Sequence, residues 1–253
     1  MLRTRVIPCL LLRRAALVKT IKFKDPSYVG DPINAIKIYN EKEVDELVFL
    51  DITATVDNKK PPFKIISEIA SECFMPVAYG GGVRTLEDVK EIFSLGIEKV
   101  VVNSYAVENP SFVTAVADKF GSQSIVVSID AKKSFWGAYK VHTHGGSKAT
   151  SLEPVQFAIE MEKRGAGEIM LTSIDRDGTM SGYDVDLIKM VTQKVTVPVI
   201  AGGGAGSVQD FGIAAKQGGA SAVAAGSMVV YHGRNRAVLI NFPTRSELQS
   251  VLG

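Results

Sequence analysis

The feature that most constrains this chain is a pattern of strand, glycine turn and helix that appears twice, almost half a chain length apart. Pro198 to Gly206 reads Pro-Val-Ile-Ala-Gly-Gly-Gly-Ala-Gly, a short β-branched run ending in glycines, with a helical pattern from Ser207 onward. A strand and a helix later comes Ala225-Gly226-Ser227. The same sequence of events occurs earlier, with Tyr79-Gly80-Gly81-Gly82-Val83 followed by Val102-Asn103-Ser104. Gly80 and Gly202 are 122 positions apart, and Ser104 and Ser227 are 123 apart. Glycine lets backbone N–H groups approach a ligand with no Cβ in the way, and a following helix N-terminus favours an anion there. Taken alone, such a turn also suits a tight strand-to-helix connection that binds nothing. Repetition implies two halves of similar build, each with an anion cradle, and a long bis-phosphorylated ligand or descent from a protein that bound one.

Strands are expected at Arg5–Leu11, Glu46–Ile52, Met75–Tyr79, Lys99–Asn103, Gln123–Asp130, Glu168–Ser173, Val197–Ala201 and Ala220–Gly226. Helices are expected between them, among them Pro32–Lys42, Phe63–Cys73, Leu86–Leu95, Pro110–Phe120, Pro154–Arg164, Val185–Lys194 and Val208–Lys216. Thr244 to Glu247 reads as the capping box of a last helix. Eight such units in 253 residues predict an α/β protein, a (β/α)8 TIM barrel with internal half-barrel duplication, spanning 1–253 as one domain. A doubly wound open sheet is the competing architecture. Longer loops are expected on the catalytic face at Leu12–Gly30, Thr53–Pro62, Lys132–Thr150 and Asp175–Tyr183. Lys19 and Lys22 to Lys24 make the first of them basic, as a lid over phosphates or a solvated loop would be.

The composition excludes several classes. A formal net charge of +2 with no Lys/Arg block argues against nucleic acid. No apolar run approaches a membrane span, and Pro8 and Arg13-Arg14 interrupt the one near the N-terminus. No membrane partner is expected, and the location is expected to be cytoplasmic. Cys9 and Cys73 lack CxxC or His companions and read as reduced, buried thiols. No metal or cofactor is implied. His142, His144 and His232 have no partners at ligand spacing and read as surface or loop residues.

Carboxylates at strand ends carry the chemical information: Asp51, Asp130, Asp175 and Asp177. Asp130 follows the apolar run Ile125 to Ile129 and stands at the rim of the core, where it can serve as general acid or base. An Asp that caps the following turn is the competing reading. Asp175-Arg176-Asp177-Gly178 suits either a site or a self-contained ion-pair turn. The first half holds Leu11 where the second holds Asp130, 119 positions later. Arg5, Glu46, Lys99 and Glu168 come at the starts of strands one, two, four and six, and could close the barrel bottom with salt bridges or gate its interior.

Val6 to Leu10, Asp45 to Thr53, Gly80 to Gly82, Ala106 to Pro110, Phe120 to Gln123, Gly165 to Ile169, Leu171 to Thr179 and Gly202 to Gly206 closely resemble the HisF family over essentially the whole chain. That family is the cyclase subunit of imidazole glycerol phosphate synthase. The resemblance implies a duplicated barrel that receives ammonia from a HisH-like glutaminase docked beneath it. It implies phosphate binding at Gly82, Asn103 and Ser104, and at Gly203, Gly204, Gly226 and Ser227. It implies active-site positions at Lys19, Asp51, Asp130, Thr172 and Asp177, and an ammonia gate of Arg5, Glu46, Lys99 and Glu168. The departure is Leu11, where the histidine-pathway enzymes carry a catalytic Asp. Cys9 to Leu12, Val18 to Thr20, Tyr28 to Ala35 and Gly233 to Asn241 are similar to a paralogous branch found with surface-polysaccharide gene clusters. That branch implies passage of ammonia to an amidotransferase that makes an acetamidino sugar. The histidine-pathway cyclase and a non-catalytic scaffold for a glutaminase and a phosphorylated sugar remain the other two readings.

Overall fold

The computed structural model describes residues 4–233 and 235–253. Eight parallel strands follow one another around a closed ring: β1 (Arg5–Arg13), β2 (Leu47–Asp51), β3 (Val77–Gly80), β4 (Lys99–Val102), β5 (Ile125–Lys133), β6 (Glu168–Ser173), β7 (Val199–Gly202) and β8 (Ala222–Ala225). Each pairs with the next, and β8 returns to β1 with Arg5 opposite Ala222 and Pro8 opposite Ala225. That closure excludes the open sheet. Helices α1 (Pro32–Glu41), α2 (Phe63–Glu72), α3 (Leu86–Ser94), α4 (Ser111–Phe120), α5 (Pro154–Lys163), α6 (Val185–Thr192), α7 (Val208–Lys216) and α8 (Arg245–Leu252) alternate with the strands. The architecture is a (β/α)8 barrel.

Period-two alternation sorts the strand residues into two cores. On β1, Val6, Leu10 and Leu12 join the large cluster between strands and helices. Ile7 belongs instead to a smaller cluster inside the ring, to which every strand contributes: Val48, Ala78, Val101, Val126, Met170, Ile200, Ala222 and Ala224. Cys9 and Leu50 pack on it from above. The interior is therefore an apolar plug with several small residues, closed at its floor by charge and open at its mouth.

Helix starts show the duplication in detail. Thr85 N–H donates to Asp88 Oδ2 over 3.0 Å at the head of α3. Ser207 N–H donates to Asp210 Oδ2 over 2.8 Å at the head of α7, 122 positions on. Each is a capping box that satisfies donors the helix leaves unpaired. Thr244 and Glu247 form the expected third box at α8.

Two of the segments expected as loops are antiparallel hairpins. After β1 the chain turns at Arg14-Ala15 and pairs back, with Leu11 opposite Val18 and Arg13 opposite Ala16. A second turn at Lys22-Phe23 adds Lys24–Gly30 to the edge. After β5, Tyr139–Thr143 pairs with the strand extension, placing His142 opposite Asp130. The strand after β5 thus corrects the expectation for His142, which lies within a hydrogen-bonded ladder.

Candidate functional site

The strand ends surround a cavity of ≈ 420 Å³ at the mouth of the barrel. Leu11, Lys19, Asp51, Asp130, Thr172 and Asp177 all line it. So do Gly82, Asn103 and Ser104 on one side, and Gly203, Gly204, Gly226 and Ser227 on the other. Residues up to 216 positions apart in sequence therefore meet around one opening.

The cradles are built alike. Gly82 has φ +74° and Gly204 has φ +115°, values that favour glycine. A Cβ at Gly82 would meet the Lys59 carbonyl oxygen at 2.6 Å, and one at Gly204 the Gly182 carbonyl oxygen at 2.2 Å. Neither position admits another residue without moving backbone. At the second strand end of each half, Asn103 (φ −118°, ψ −83°) and Gly226 (φ −106°, ψ −85°) adopt nearly the same conformation. Each leads into a short helical turn that begins at a buried serine, Ser104 or Ser227. The side chains differ in use. Asn103 Nδ2 donates to the Ser128 carbonyl oxygen at 3.1 Å and so braces β4 against β5. Gly226 instead makes room: a Cβ there would lie 2.9 Å from Lys19 Nζ.

Lys19 is the buried cation of the mouth. Its ammonium donates to the Cys9 carbonyl oxygen at 2.6 Å, and burial pulls its pKa below the ordinary lysine value, opposed by Cys9 and Asp177. Asp177 accepts from Thr20 Oγ1 at 3.0 Å, and burial raises its pKa against that bond and against Lys19. The Cys9 thiol is pushed up to about 11 by burial, which leaves it protonated and inert.

Asp130 is the group best placed for proton transfer. It is buried, and its Oδ1 accepts from Ser128 Oγ at 3.3 Å. Burial drives its carboxyl up to about 7; the Ser128 bond lowers it and Asp177 adds to the rise. A carboxyl poised there is half ionised near neutrality. Asp51 differs. Its Oδ1 accepts from Thr53 N, Thr53 Oγ1 and Ala54 N, at 2.8, 2.8 and 3.0 Å, so one oxygen is committed to its own turn. Asp175 faces away from this chemistry, its Oδ2 accepting from Lys133 N at 3.0 Å.

Among the mouth residues that escaped the sequence reading are Ser128, Thr20 and His144. Alternation inward from Asp130 would have found Ser128. His144, expected as a surface or loop residue, lines the cavity, and its N–H donates to Ser104 Oγ at 2.9 Å. No sequence signal marks that approach. His232 is exposed, as expected.

At the floor, four charges form a closed alternating ring. Arg5 bonds Glu46 through Nη1 and Glu168 through Nη2, the latter at 2.8 Å. Lys99 Nζ reaches Glu46 Oε1 at 2.9 Å and Glu168 at 3.4 Å. Burial alone would lower the Arg5 pKa, but Glu168 and Glu46 carry it above its ordinary value. The two glutamates are mates across the duplication, 122 positions apart. Among the described residues, no group of three or more His, Cys, Asp or Glu is disposed to hold a metal, and no helix is long and apolar enough to cross a membrane.

Comparison with known proteins places this geometry in a family. The profile of the family described as "Histidine biosynthesis protein" matches residues 5–235. The chain is 53% identical to a putative imidazole glycerol phosphate synthase subunit hisF2 of Pseudomonas aeruginosa, over 98% of this chain and 99% of the relative. It is 47% identical to a putative subunit hisF3 of Vibrio vulnificus, over 100% and 97%. It is 50% identical to the imidazole glycerol phosphate synthase subunit HisF of Hyphomonas neptunium, over 90% of each. With its duplicated barrel and this degree of identity along nearly its full length, the chain belongs to the HisF family.

Proposed function

We propose that the chain is a HisF-type synthase subunit that takes ammonia from a HisH-like glutaminase through the barrel and delivers it for acetamidino modification of a surface-polysaccharide sugar. The observation that carries this reading is Leu11. It lines the cavity at the position equivalent to Asp130, so these two matching stations hold one acid where chemistry with opposed carboxylates requires a pair. A positioned acid or base contributes roughly 10²- to 10⁴-fold in rate. The ion pairs of the floor ring and the tight glycine turns of both cradles support a conduit and a phosphate site.

In this reading ammonia enters between Arg5, Glu46, Lys99 and Glu168 and crosses the apolar interior. Neutral ammonia tolerates such surroundings, whereas ammonium meets a large desolvation cost. A phosphorylated ligand at the mouth would be held by the N–H groups around Gly82 and Ser104, and around Gly204 and Ser227. Lys19 would supply a charge between them.

The names of the relatives favour a second reading, that of the imidazole glycerol phosphate cyclase. Asp130, with a carboxyl near neutrality, supports it as well. One experiment separates the two. The gene is placed in a histidine auxotroph lacking its own cyclase, and in parallel the purified chain is combined with glutaminase and sugar amidotransferase. Amidinated sugar without growth of the auxotroph supports the first reading; growth at the rate given by an authentic cyclase overturns it.

A further inference from the structure

Ten large apolar side chains are exposed among the described residues, and their distribution is one-sided. Ile21 and Tyr28, Val56, Phe135 and Trp136, and Val238 and Leu239 all lie on segments that follow strands β1, β2, β5 and β8 at the mouth face. Only Phe74, Met190 and Ile213 lie elsewhere. The extreme case is the tip of the hairpin after β5. Phe135 and Trp136 are 95% and 90% exposed, their rings stacked edge to face at 5.5 Å, and neither lines the cavity.

Charge is skewed in the same direction. Residues 12–30 and 132–150, the two hairpin segments, carry nine Lys and Arg, all but the buried Lys19 at least partly exposed, against one Asp, while the whole chain carries 29 basic against 27 acidic residues. Lys24 and Lys133 stand exposed on the two hairpins.

We propose that the mouth face docks on an anionic lipid surface, with Phe135 and Trp136 inserted among the headgroups and the hairpin lysines against lipid charge. Aromatic rings settle at the boundary between water and hydrocarbon, and each nearby Lys or Arg strengthens attachment to an anionic leaflet. A protein partner would call for a different layout. Binding hot spots of protein interfaces cluster in a packed centre, whereas these side chains project from four separate segments around an opening. The expectation of no membrane partner rested on the lack of a spanning run, which bears on crossing a bilayer and not on peripheral docking. It holds for either acceptor at the mouth.

Trp136 is the chain's single tryptophan and reports directly. Purified full-length protein is titrated with vesicles of phosphatidylcholine alone, and of phosphatidylcholine mixed equally with phosphatidylglycerol. Trp136 emission should shift to the blue, and protein should co-sediment, with the anionic vesicles only, and added salt should reverse both. Phe135→Ser with Trp136→Ser, and separately Lys24→Glu with Lys133→Glu, should each lower partitioning at least about tenfold. Circular dichroism should stay unchanged in both and melting should move little, since these side chains are exposed and Lys133 gives up only its contact over the Tyr139 ring. No shift or co-sedimentation with anionic vesicles, or binding indifferent to both variant pairs, overturns the proposal. A blue shift with concentration in the absence of lipid would assign the tip to a second copy of the chain and overturn it too. So would a shift on adding the sugar amidotransferase together with none on adding vesicles.

Discussion

Leu11 and Asp130 hold matching stations in the two half-barrels: Leu11 lies beside Leu50 of β2 and Val18 of its hairpin, Asp130 beside Thr172 of β6 and His142 of its hairpin. The same backbone thus offers an apolar wall on one side of the mouth and a buried carboxyl on the other. With the bis-phosphorylated cyclase substrate and ammonium salt, turnover should be at least about a hundredfold slower than that of a cyclase with Asp at this station. Leu11→Asp should recover part of that deficit. Steady-state product formation for both proteins is the measurement, and a wild-type rate equal to an ordinary cyclase refutes the proposed acceptor.

Asp130 links the site to stability. Its carboxyl titrates at about 7 in the fold and at 3.8 in a free chain, because burial disfavours the charge. Between pH 4 and pH 7 the native state therefore holds a proton that the unfolded chain has released. Stability falls as pH rises through that window, and the loss is complete above the folded value. Asp130→Asn removes the slope. The variant should match the wild type near pH 4 and exceed it above pH 7, by at most about 4 kcal/mol. Urea unfolding midpoints across this range test it, and equal slopes for the two proteins would show Asp130 to be better solvated than its burial implies.

All eight strands and the helices were legible because their signals are local. Apolar runs mark the strands, a capping box marks α8, and the glycine repeat marks the closure of two halves into one ring. The hairpin after β1 was not legible, for a definite reason. Tight two-residue turns normally advertise themselves with Asn-Gly or Asp-Gly, which accept positive φ at little cost. Here Arg14 and Ala15 take φ 51° and 64°, and Lys22 and Phe23 take 53° and 62°, with no glycine to announce them. In the site, residues at strand ends were found because barrel topology dictates where strand ends go. His144 was missed because its reach to Ser104 depends on the hairpin that carries it.

The cradles predict phosphate binding of a particular kind. A bis-phosphate spanning Ser104 and Ser227 should raise the melting temperature more than inorganic phosphate does, since only a ligand that binds the native state stabilises it. Ser104→Ala and Ser227→Ala should each weaken binding, by roughly 1.5–3 kcal/mol for a lost hydrogen bond to a charged group. The double variant should lose the difference between the two ligands. Melting curves against ligand concentration decide it; identical responses to mono- and bis-phosphate in the wild type would leave at most one working cradle.

The floor ring asks whether Leu11 marks decay or redeployment. Partly buried ion pairs are weak evidence for stability, because desolvation offsets their attraction. A barrel kept only as a scaffold would gain as much from apolar residues at Arg5, Glu46, Lys99 and Glu168. Lys99 is the informative member, because it touches both glutamates while Arg5 bonds both on the other side. Removing it leaves the Arg5 pairs in place and opens one side of the ring. Lys99→Ala should therefore keep the complex with glutaminase and let ammonia escape to solvent. Glutamate released should then exceed amidinated product, where the wild type keeps the two nearly equal. Lys99→Met, which restores bulk without charge, separates a steric plug from an electrostatic one: a ratio near wild type identifies bulk as the barrier. A complex-forming Lys99→Ala protein with an unchanged ratio would make the four charges structural salt bridges and remove the argument that ammonia crosses this barrel.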